Sequence, residues 1–264
     1  MPVDLPRFGA VTPGFSQWWR ESRVALAFLT RLPVPLDDIK DVALGRAARG
    51  FPVAGVIVGL AGGLVYAVAD VFALPAAVSA LLAVGALVLL TGGLHEDGLA
   101  DTADGVGGGR DREHALAIMR DSRIGSYGVI ALAFALALRV SCVAAVAEAE
   151  LVMLALIAAS AGSRAMLPVV MFYFPAARRD GLSHAAGAPV RRAMLEGLAL
   201  AGVLALVTLG FAGLLLGVLL VCGLVWGLVR FLVQRLGGQT GDVLGAAQQT
   251  AEIALLIVAT LVLR

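Results

Sequence analysis

Long uncharged apolar segments, each separated from the next by a charged or glycine-rich stretch, constrain the fold of this chain more than any other feature. The chain has 264 residues, of which 60% are hydrophobic and only 15% are charged. A soluble domain carries about a quarter charged residues and about half apolar ones. Because the apolar residues occur in long blocks and the charges lie between them, the pattern is typical of an integral membrane protein.

The lengths of these blocks predict the number of membrane crossings. A crossing helix needs about 20 mostly apolar residues, because it rises about 1.5 Å per residue through a core of about 30 Å. We predict spans at 51–72, 77–94, 127–147, 151–173, 194–209, 212–232 and 248–263. The fifth and seventh are short, and Gly210 is the least defined boundary. The sequence therefore predicts an all-α, polytopic transmembrane helix bundle of about seven spans, in a single integral membrane domain over 1–264.

Basic residues predict the orientation of this bundle. Seventeen of the 20 Lys and Arg residues lie in segment 1–50 and in the connections after spans two, four and six. The other connections have none. Since cytoplasmic connections carry the excess of Lys and Arg, we expect the N-terminus and the long polar loops in the cytoplasm and the C-terminus outside. Any active site is then expected at the cytoplasmic face.

Segment 1–50 is predicted to be cytoplasmic or interfacial, because it contains no apolar block of membrane length. Between 15 and 29, apolar residues that include Trp18, Trp19, Leu26 and Leu29 recur at helical spacing. This pattern predicts a helix in the headgroup plane with tryptophan at the interface. A helix that packs on the bundle explains the pattern equally well.

An acidic run directly after span two is the strongest functional signal. It contains Glu96, Asp97, Asp101 and Asp104, and the three aspartates lie within about 60° of arc on one helical face. Like charges so placed repel one another. A divalent cation offsets this repulsion, and carboxylate oxygens suit Mg²⁺, Mn²⁺ or Ca²⁺. We interpret the three aspartates as metal ligands and Glu96 as a weaker candidate ligand. His95 is expected to contact the ligands rather than the ion. The alternative is a solvated acidic loop.

The same connection continues with Arg120, Asp121 and Arg123. Arginines beside carboxylates and glycines suit a phosphate-bearing substrate, because guanidinium groups make bidentate contacts with phosphate. We therefore expect the two arginines to bind phosphate. The alternative is that they only set the membrane topology.

Two arginines lie inside predicted spans, where charge is expensive and usually paired or functional. Arg164 lies about two turns from the cytoplasmic end of span four, so we expect it to reach the same cavity and bind phosphate. Its alternative is a structural ion pair. Arg139 lies deeper, and Asp70 and Glu148 are candidate partners for it.

A glycine-rich turn precedes the last span. Gly238, Gln239, Thr240 and Asp242 lie there, on the same predicted face as the acidic run. One interpretation is a loop that binds substrate phosphate, with Asp242 joining the metal. The other is a tight turn in which Thr240 or Asp242 caps the helix.

Several of these segments together resemble the cobalamin 5′-phosphate synthases, also called adenosylcobinamide-GDP ribazoletransferases. The matching stretches are 28–35, 93–105, 119–125, Ser163-Arg164 and 237–246. They extend from the N-terminal segment to the last helix. At Glu96 the chain differs from some members of this family, which have a less acidic residue at that position.

The resemblance implies a specific reaction in the bacterial inner membrane. The 5′-hydroxyl of α-ribazole, or of its 5′-phosphate, attacks the cobinamide-linked phosphorus of adenosylcobinamide-GDP, and GMP leaves. The resemblance also implies Mg²⁺ as cofactor. Asp97, Asp101 and Asp104 are then expected to hold the ion, with Asp121 or Asp242 completing its ligands or accepting the hydroxyl proton.

Two other functions compete with this one. A CDP-alcohol phosphatidyltransferase also needs Mg²⁺ and aspartates, but its signature has Ala-Arg where this chain has Ala100-Asp101. A secondary transporter is expected to place its charges near the bilayer midplane, whereas most charges here lie at one face. We expect a lipid bilayer and the two substrates as partners and no nucleic acid. Whether the chain forms a homo-oligomer is left open.

Overall fold

Helices dominate the architecture, as the apolar blocks require. The computed structural model describes residues 14–35, 42–178 and 187–263, and within these ranges it contains no strand beyond one isolated bridge. The helices are α1 Phe15–Leu29, a 3₁₀ turn Ala47–Gly50, α2 Phe51–Val71, α3 Ala76–Thr91, α4 Leu94–Gly108, α5 Arg112–Ile118, α6 Ser126–Val146, α7 Ala149–Tyr173, α8 Arg191–Leu236 and α9 Gly241–Val262. The predicted all-α bundle is confirmed.

Five helices within the described ranges are long and apolar enough to cross a membrane, and the number is six if the bent pair of α3 and α4 counts as one broken span. In that pair α3 supplies the apolar crossing, and α4 lies at its end. Large apolar side chains such as Phe134, Val207 and Leu219 are exposed on the outside of the bundle. Such an outer surface suits lipid rather than water, so the chain is a multi-pass membrane protein.

The 46-residue α8 contains two of the predicted spans. Gly210 interrupts it with φ of 71° and ψ of −178°, a non-helical conformation. Near the start of α8, Gly197 packs on the backbone of Arg49, and at its end the Leu236 carbonyl accepts from Arg112 Nε at 2.8 Å. Residues 198–205 and 213–222 line one cavity. The helix therefore folds back at Gly210, which divides it into two segments that correspond to the fifth and sixth predicted spans, and the total of seven stays a prediction.

Small residues let α2 and α7 pack closely in antiparallel directions. Gly55 lies against the backbone of Ser160 and Gly59 against that of Leu156. A side chain at either glycine would collide with α7, as in close helix contacts within membranes. This contact brings the start of α2 beside the end of α7, at the end of the bundle that also holds α4. We call this end, with α4, α5 and the 237–240 turn, the polar end.

The amphipathic α1 packs on the bundle at the polar end. Its Ala25 and Leu29 are fully buried in a small core with Phe51 and Leu167. Trp19, outside this buried face, is 59% exposed. The packing interpretation is therefore confirmed for one face of the helix, and the location in the headgroup plane stays a prediction.

Candidate active site

A sharp break between α3 and α4 sets the position of the acidic residues. Gly92 and Gly93 adopt left-handed conformations with φ of 66° and 68°, which glycine tolerates best. The axis of α4 is bent by 89° from that of α3. Arg31 supports the break, because its backbone N–H donates to the Leu90 carbonyl at 2.7 Å and its side chain lies against Gly92. The acidic helix therefore lies across the polar end.

Four carboxylates form what we call the acidic cluster: Asp97, Asp101 and Asp104 of α4, and Asp242 at the start of α9. The two helices approach closely at Gly98, where an added Cβ would lie 3.0 Å from the Cα of Asp242. Burial first, and then the charges of the other three members, raise the pKa of Asp101 to about 7. The cluster therefore holds mutually repelling negative charge that a cation would relieve.

Asp104 is the member of the cluster most engaged by the protein itself. Its carboxylate accepts hydrogen bonds from the backbone N–H groups of Gly125 at 2.7 Å and Gly128 at 2.9 Å. These groups belong to the N-terminus of α6, where backbone N–H groups have no partner within the helix and favour an anion. Asp104 therefore ties α4 to α6 and fixes the loop before it.

That loop carries Arg120, Asp121 and Arg123 on its surface. Arg123 Nη2 lies 2.6 Å from Asp121 Oδ2, and the hydrogen bonds from Arg123 lower the pKa of Asp121 to about 2. Arg120 is exposed. The structure brings the loop beside the acidic cluster, but the charge of Asp121 is paired with Arg123 rather than with the cluster.

The turn between α8 and α9 is stabilised by its own hydrogen bonds. Gly237 ends α8 with φ of 77°, and the Thr240 hydroxyl caps α9 by accepting from Val243 N–H at 3.2 Å. Asp242 accepts from the Thr240 hydroxyl at 3.2 Å and lies 3.5 Å from Arg178 Nη2. Thr240 is thus a helix cap, while Asp242 joins the cluster.

Gly238 and Gln239 bind a neighbouring loop. Gln239 N–H donates to the Pro175 carbonyl, and Ala177 N–H donates to the Gln239 carbonyl, both at 2.8 Å. A side chain at Gly238 would collide with the backbone of Ala177. These contacts explain both residues as parts of the turn, without a ligand.

Glu96 and Arg164, both predicted at the site, lie instead in what we call the buried charge network, with Arg139 and Glu252. Arg139 Nη1 lies 2.6 Å from Glu96 Oε1, and Arg139 Nη2 lies 2.7 Å from Glu252 Oε1. Arg164 Nη1 is 3.6 Å from Glu252 Oε2. The partners of Arg139 are therefore neither of the acids named from the sequence, because α4 and α9 bring two glutamates to it.

Two glutamines complete this network. Gln248 donates to Glu252 at 2.5 Å and to Ser163 at 3.0 Å, and Gln249 donates to Glu96 at 3.2 Å. Buried charges are tolerated when they are paired and hydrogen-bonded. Glu96 points away from Asp97, its neighbour in sequence, and binds Arg139 and Gln249 in the interior of the bundle.

A polar cavity of about 610 Å³ opens beside the acidic cluster. Asp97 and Asp101 line one side, and Arg31, Thr91 and Ser122 contribute further polar groups. The cavity combines carboxylates with a guanidinium, as a site for phosphate and a metal ion requires. It is large enough for a substantial part of a nucleotide substrate.

A second, smaller cavity of about 150 Å³ lies on the other side of Asp97, which lines both. Its walls are mostly apolar and include Phe28 and Phe51, with His95 and Asp242 among its few polar residues. Burial, and then the charges of the two buried arginines nearby, lower the pKa of His95 well below its usual value, so this imidazole is neutral. Asp97 thus separates an apolar cavity from a polar one.

The acidic cluster suits a hard divalent cation by the chemistry of its donors. All four members are carboxylates, and Asp97, Asp101 and Asp242 lie on facing parts of two helices. Across the described residues, no group of three His, Cys, Asp or Glu side chains is already drawn together as a metal site. An ion would therefore have to draw these carboxylates inward.

Two further arginines lie at the site and are not among the predicted site residues. Arg31 lies in a stretch that matches the resembled family, and it lines the polar cavity. Arg178 lies beside Asp242, and nothing in its local sequence distinguishes it from the other basic residues of its loop.

A multi-pass helix bundle with a carboxylate-lined site at its polar end defines the class: a polytopic membrane protein with an enzyme-like cleft. Residues 21–260 match the family described as cobalamin-5-phosphate synthase. Because this match covers most of the chain, the protein belongs to the cobalamin-5-phosphate synthase family, and the resemblance seen in the sequence is confirmed.

Curated relatives agree with this assignment. The chain is 49% identical over 240 residues to the adenosylcobinamide-GDP ribazoletransferase of Bradyrhizobium diazoefficiens, covering 90% of this chain and 92% of the relative. It is 45% identical to the enzyme of the same name from Mesorhizobium japonicum, covering 91% and 92%. No solved structure matches the chain significantly. These names favour a transferase over a lipid-synthesising enzyme or a transporter.

Proposed function

We propose that this protein is an adenosylcobinamide-GDP ribazoletransferase that performs the joining step of late cobalamin biosynthesis. The family match over residues 21–260 carries the proposal. The two cavities on either side of Asp97 support it, because a joining reaction must hold two dissimilar substrates with their reacting groups side by side.

The reaction is a displacement at phosphorus. A secondary ribose hydroxyl of α-ribazole, or of its 5′-phosphate, forms a bond through its oxygen to the cobinamide-linked phosphorus, and the bond from that phosphorus to the GMP oxygen breaks. This group replaces the 5′-hydroxyl that the resemblance led us to expect, because the 5′ oxygen of the 5′-phosphate is already esterified and cannot attack. GMP leaves, and the product is adenosylcobalamin or its 5′-phosphate. The hydroxyl proton passes to a carboxylate of the acidic cluster, the nearest group of bases to both cavities.

Mg²⁺ is the proposed cofactor, with Asp97, Asp101 and Asp242 as the residues that would hold it. When bound, the ion supplies positive charge against the diphosphate and its leaving group. Asp104 holds α4 in position for this arrangement, because its oxygens already accept hydrogen bonds from two backbone N–H groups of α6. The repulsion that raises the pKa of Asp101 supports a cationic ligand.

Arg31 is proposed to bind the diphosphate of adenosylcobinamide-GDP. It lines the polar cavity with Asp97 and Asp101, and it is anchored through its backbone beside the α3–α4 break. Its guanidinium can make paired hydrogen bonds to phosphate oxygens. Arg120 and Arg123, on the nearby loop, are proposed to attract the anionic substrate rather than to hold it.

The proposed location is the bacterial inner membrane, with lipid around the bundle and the polar end in the cytoplasm. The alternation of basic connections along the sequence supports this orientation. A reporter fused after Arg264 is expected to lie outside the cytoplasm. A cytoplasmic reporter signal would contradict the odd number of crossings.

Purified protein with Mg²⁺, adenosylcobinamide-GDP and α-ribazole or its 5′-phosphate tests the activity directly. We expect GMP release that depends on both substrates and stops when the metal is chelated. Absence of GMP, together with Mg²⁺-dependent CMP release from a CDP-alcohol, would overturn the proposal. Asp97→Asn protein, prepared identically, controls for contaminating activities.

A further inference from the structure

The apolar cavity has a composition that selects among the parts of the proposed substrates. Five helices contribute apolar side chains to it: Phe28 from α1, Phe51 from α2, Leu94 from α4, Met171 from α7 and Leu244 from α9. Its volume is about 150 Å³, and a dry cavity of about this size with aliphatic and aromatic walls holds one small aromatic molecule. A corrin ring is far too large for it.

An unpartnered polar atom lies at this cavity. His95 lines the cavity and is only 3% exposed, and its Nε2 has no hydrogen-bond partner among the described residues. A buried nitrogen without a partner is costly and rare in folded proteins. A neutral imidazole can donate one hydrogen bond from its protonated ring nitrogen and accept one at the other. The cavity is therefore suited to a ligand with one polar atom on an otherwise apolar body.

Of the aromatic parts of the two substrates, one has this character. Guanine, and the adenine of the adenosyl group, carry donors and acceptors along more than one edge, and most of them would be unsatisfied against these walls. The base of α-ribazole is a benzimidazole, a flat apolar bicycle with a single free ring nitrogen that accepts a hydrogen bond. Aromatic and thioether side chains such as Phe28, Phe51 and Met171 are favourable neighbours for such a ring.

We propose that the apolar cavity is the binding site for the benzimidazole base of α-ribazole, with His95 hydrogen-bonded to the free ring nitrogen. This inference rests on the proposed function. Asp97 and Asp242 lie at the same cavity, so the ribose of a base bound there would emerge at the acidic cluster. Since Asp97 also lines the polar cavity, the attacking ribose hydroxyl would meet the diphosphate held there.

Equilibrium dialysis with α-ribazole alone tests this site without turnover. The matched probe is its indole analogue, in which carbon replaces the free ring nitrogen. Wild-type protein is expected to bind α-ribazole about tenfold more tightly than the analogue, the usual effect of one hydrogen bond. His95→Phe is expected to bind the two equally. Equal binding by the wild type would overturn the role of His95.

A second pair of variants tests the cavity independently of His95. Leu44→Trp fills the cavity from a half-buried position, and Leu82→Trp is the matched control on the exposed outer face of α3. We expect Leu44→Trp to raise the KM for α-ribazole at least tenfold, with the KM for adenosylcobinamide-GDP within twofold of wild type. Leu82→Trp is expected to change neither value.

The outcomes separate this inference from the proposed function. If wild-type protein releases GMP but both tryptophan variants have the same KM for α-ribazole, the cavity assignment is wrong and the function stands. A parallel rise of both KM values in Leu44→Trp also counts against it. If the wild type releases no GMP with both substrates, the proposed function itself fails.

Discussion

Glu96 and Asp97 are neighbours in sequence, yet they belong to regions with opposite electrostatic design. Glu96 is in the buried charge network, where two arginines and two glutamates balance each other within hydrogen-bonding distance of two glutamines. Asp97 is in the acidic cluster, where the charges that act on Asp101 are those of the other three carboxylates. One arginine, Arg178, lies 3.5 Å from Asp242. The first region satisfies its charges within the fold, and the second leaves charge for a ligand.

This difference separates structural from functional charge along one helix. A balanced network stabilises the bundle only while it is complete, because any single removal leaves a buried charge without a partner. The acidic cluster is the reverse case, since removal of one carboxylate relieves repulsion among those that remain. Variants in the two regions should therefore change stability in opposite directions.

The largest effect is expected from Arg139→Ala. Arg139 is 2% exposed and binds both glutamates of the network, so its removal leaves Glu96 without its ion-pair partner and Glu252 with only the more distant Arg164. The expected loss is about 3–5 kcal/mol in the free energy of unfolding, measured by denaturant titration in detergent micelles. Arg230→Ala, an exposed arginine of α8, should change it little. Wild-type stability of Arg139→Ala would show that the network is dispensable.

Next in size is the effect of Asp97→Asn on turnover. Asp97 lines both cavities and is a proposed Mg²⁺ ligand, so the neutral amide should lower kcat by about 100-fold or more, as loss of a key electrostatic contact does. The protein should still fold and enter the membrane. GMP release is the measurement, and Glu150→Gln, exposed at the start of α7, is the matched control. A rate near wild type would remove Asp97 from the site.

The variant Asp101→Asn should show the repulsion within the acidic cluster through the pH dependence of folding stability. Its pKa of about 7 in the folded protein exceeds the ordinary value of 3.8, so between these values the folded state binds more protons than the unfolded one. Without metal, wild-type stability should therefore fall as pH rises through this window. The variant should lack this slope and melt a few degrees higher than wild type at pH 8.

Differential scanning at pH 5 and pH 8 with a chelator present measures this difference. At pH 5 Asp101 is protonated in the folded state but ionised in the unfolded one, so the variant should melt above the wild type by a smaller margin than at pH 8. A lower melting temperature of Asp101→Asn at pH 8 would mean that the carboxylate is stabilised by the fold, contrary to the repulsion described here. Added Mg²⁺ should raise the melting temperature of the wild type more than that of the variant.

The helical architecture could be predicted from the sequence because a helix needs about 20 mostly apolar residues to cross the lipid core. The break at Gly210 lies at the boundary predicted between the fifth and sixth spans. The start of the last helix was harder, since α9 begins at Gly241 rather than at 248. The last span was predicted to begin only at 248, after the glycine-rich turn, but the helix starts directly after the Thr240 cap, and Gln248 and Gln249 within it are buried partners of the network.

The site was less predictable, because pairing partners come from distant segments. Helical spacing placed Asp97 and Asp101 on one face of a real helix. Spacing could not show that Glu96 would meet Arg139, 43 residues away. Nor could it show that Arg164 would pair inside the bundle with Glu252. Those contacts depend on how four helices pack, which no local pattern encodes.

The smallest effect is expected where a charged pair belongs to neither region. Asp121 and Arg123 bind each other on the exposed loop beside the polar cavity, and exposed ion pairs contribute little to stability. Arg123→Ala should leave the melting temperature within about 1 °C of wild type. It should raise the KM for adenosylcobinamide-GDP a few-fold, with a stronger effect at low salt, because long-range attraction is screened by ions. Arg110→Ala, exposed before α5, tests whether any basic residue of this connection has the same effect. A large drop in kcat for Arg123→Ala would instead place this arginine in contact with the reacting phosphate and extend the site to the loop.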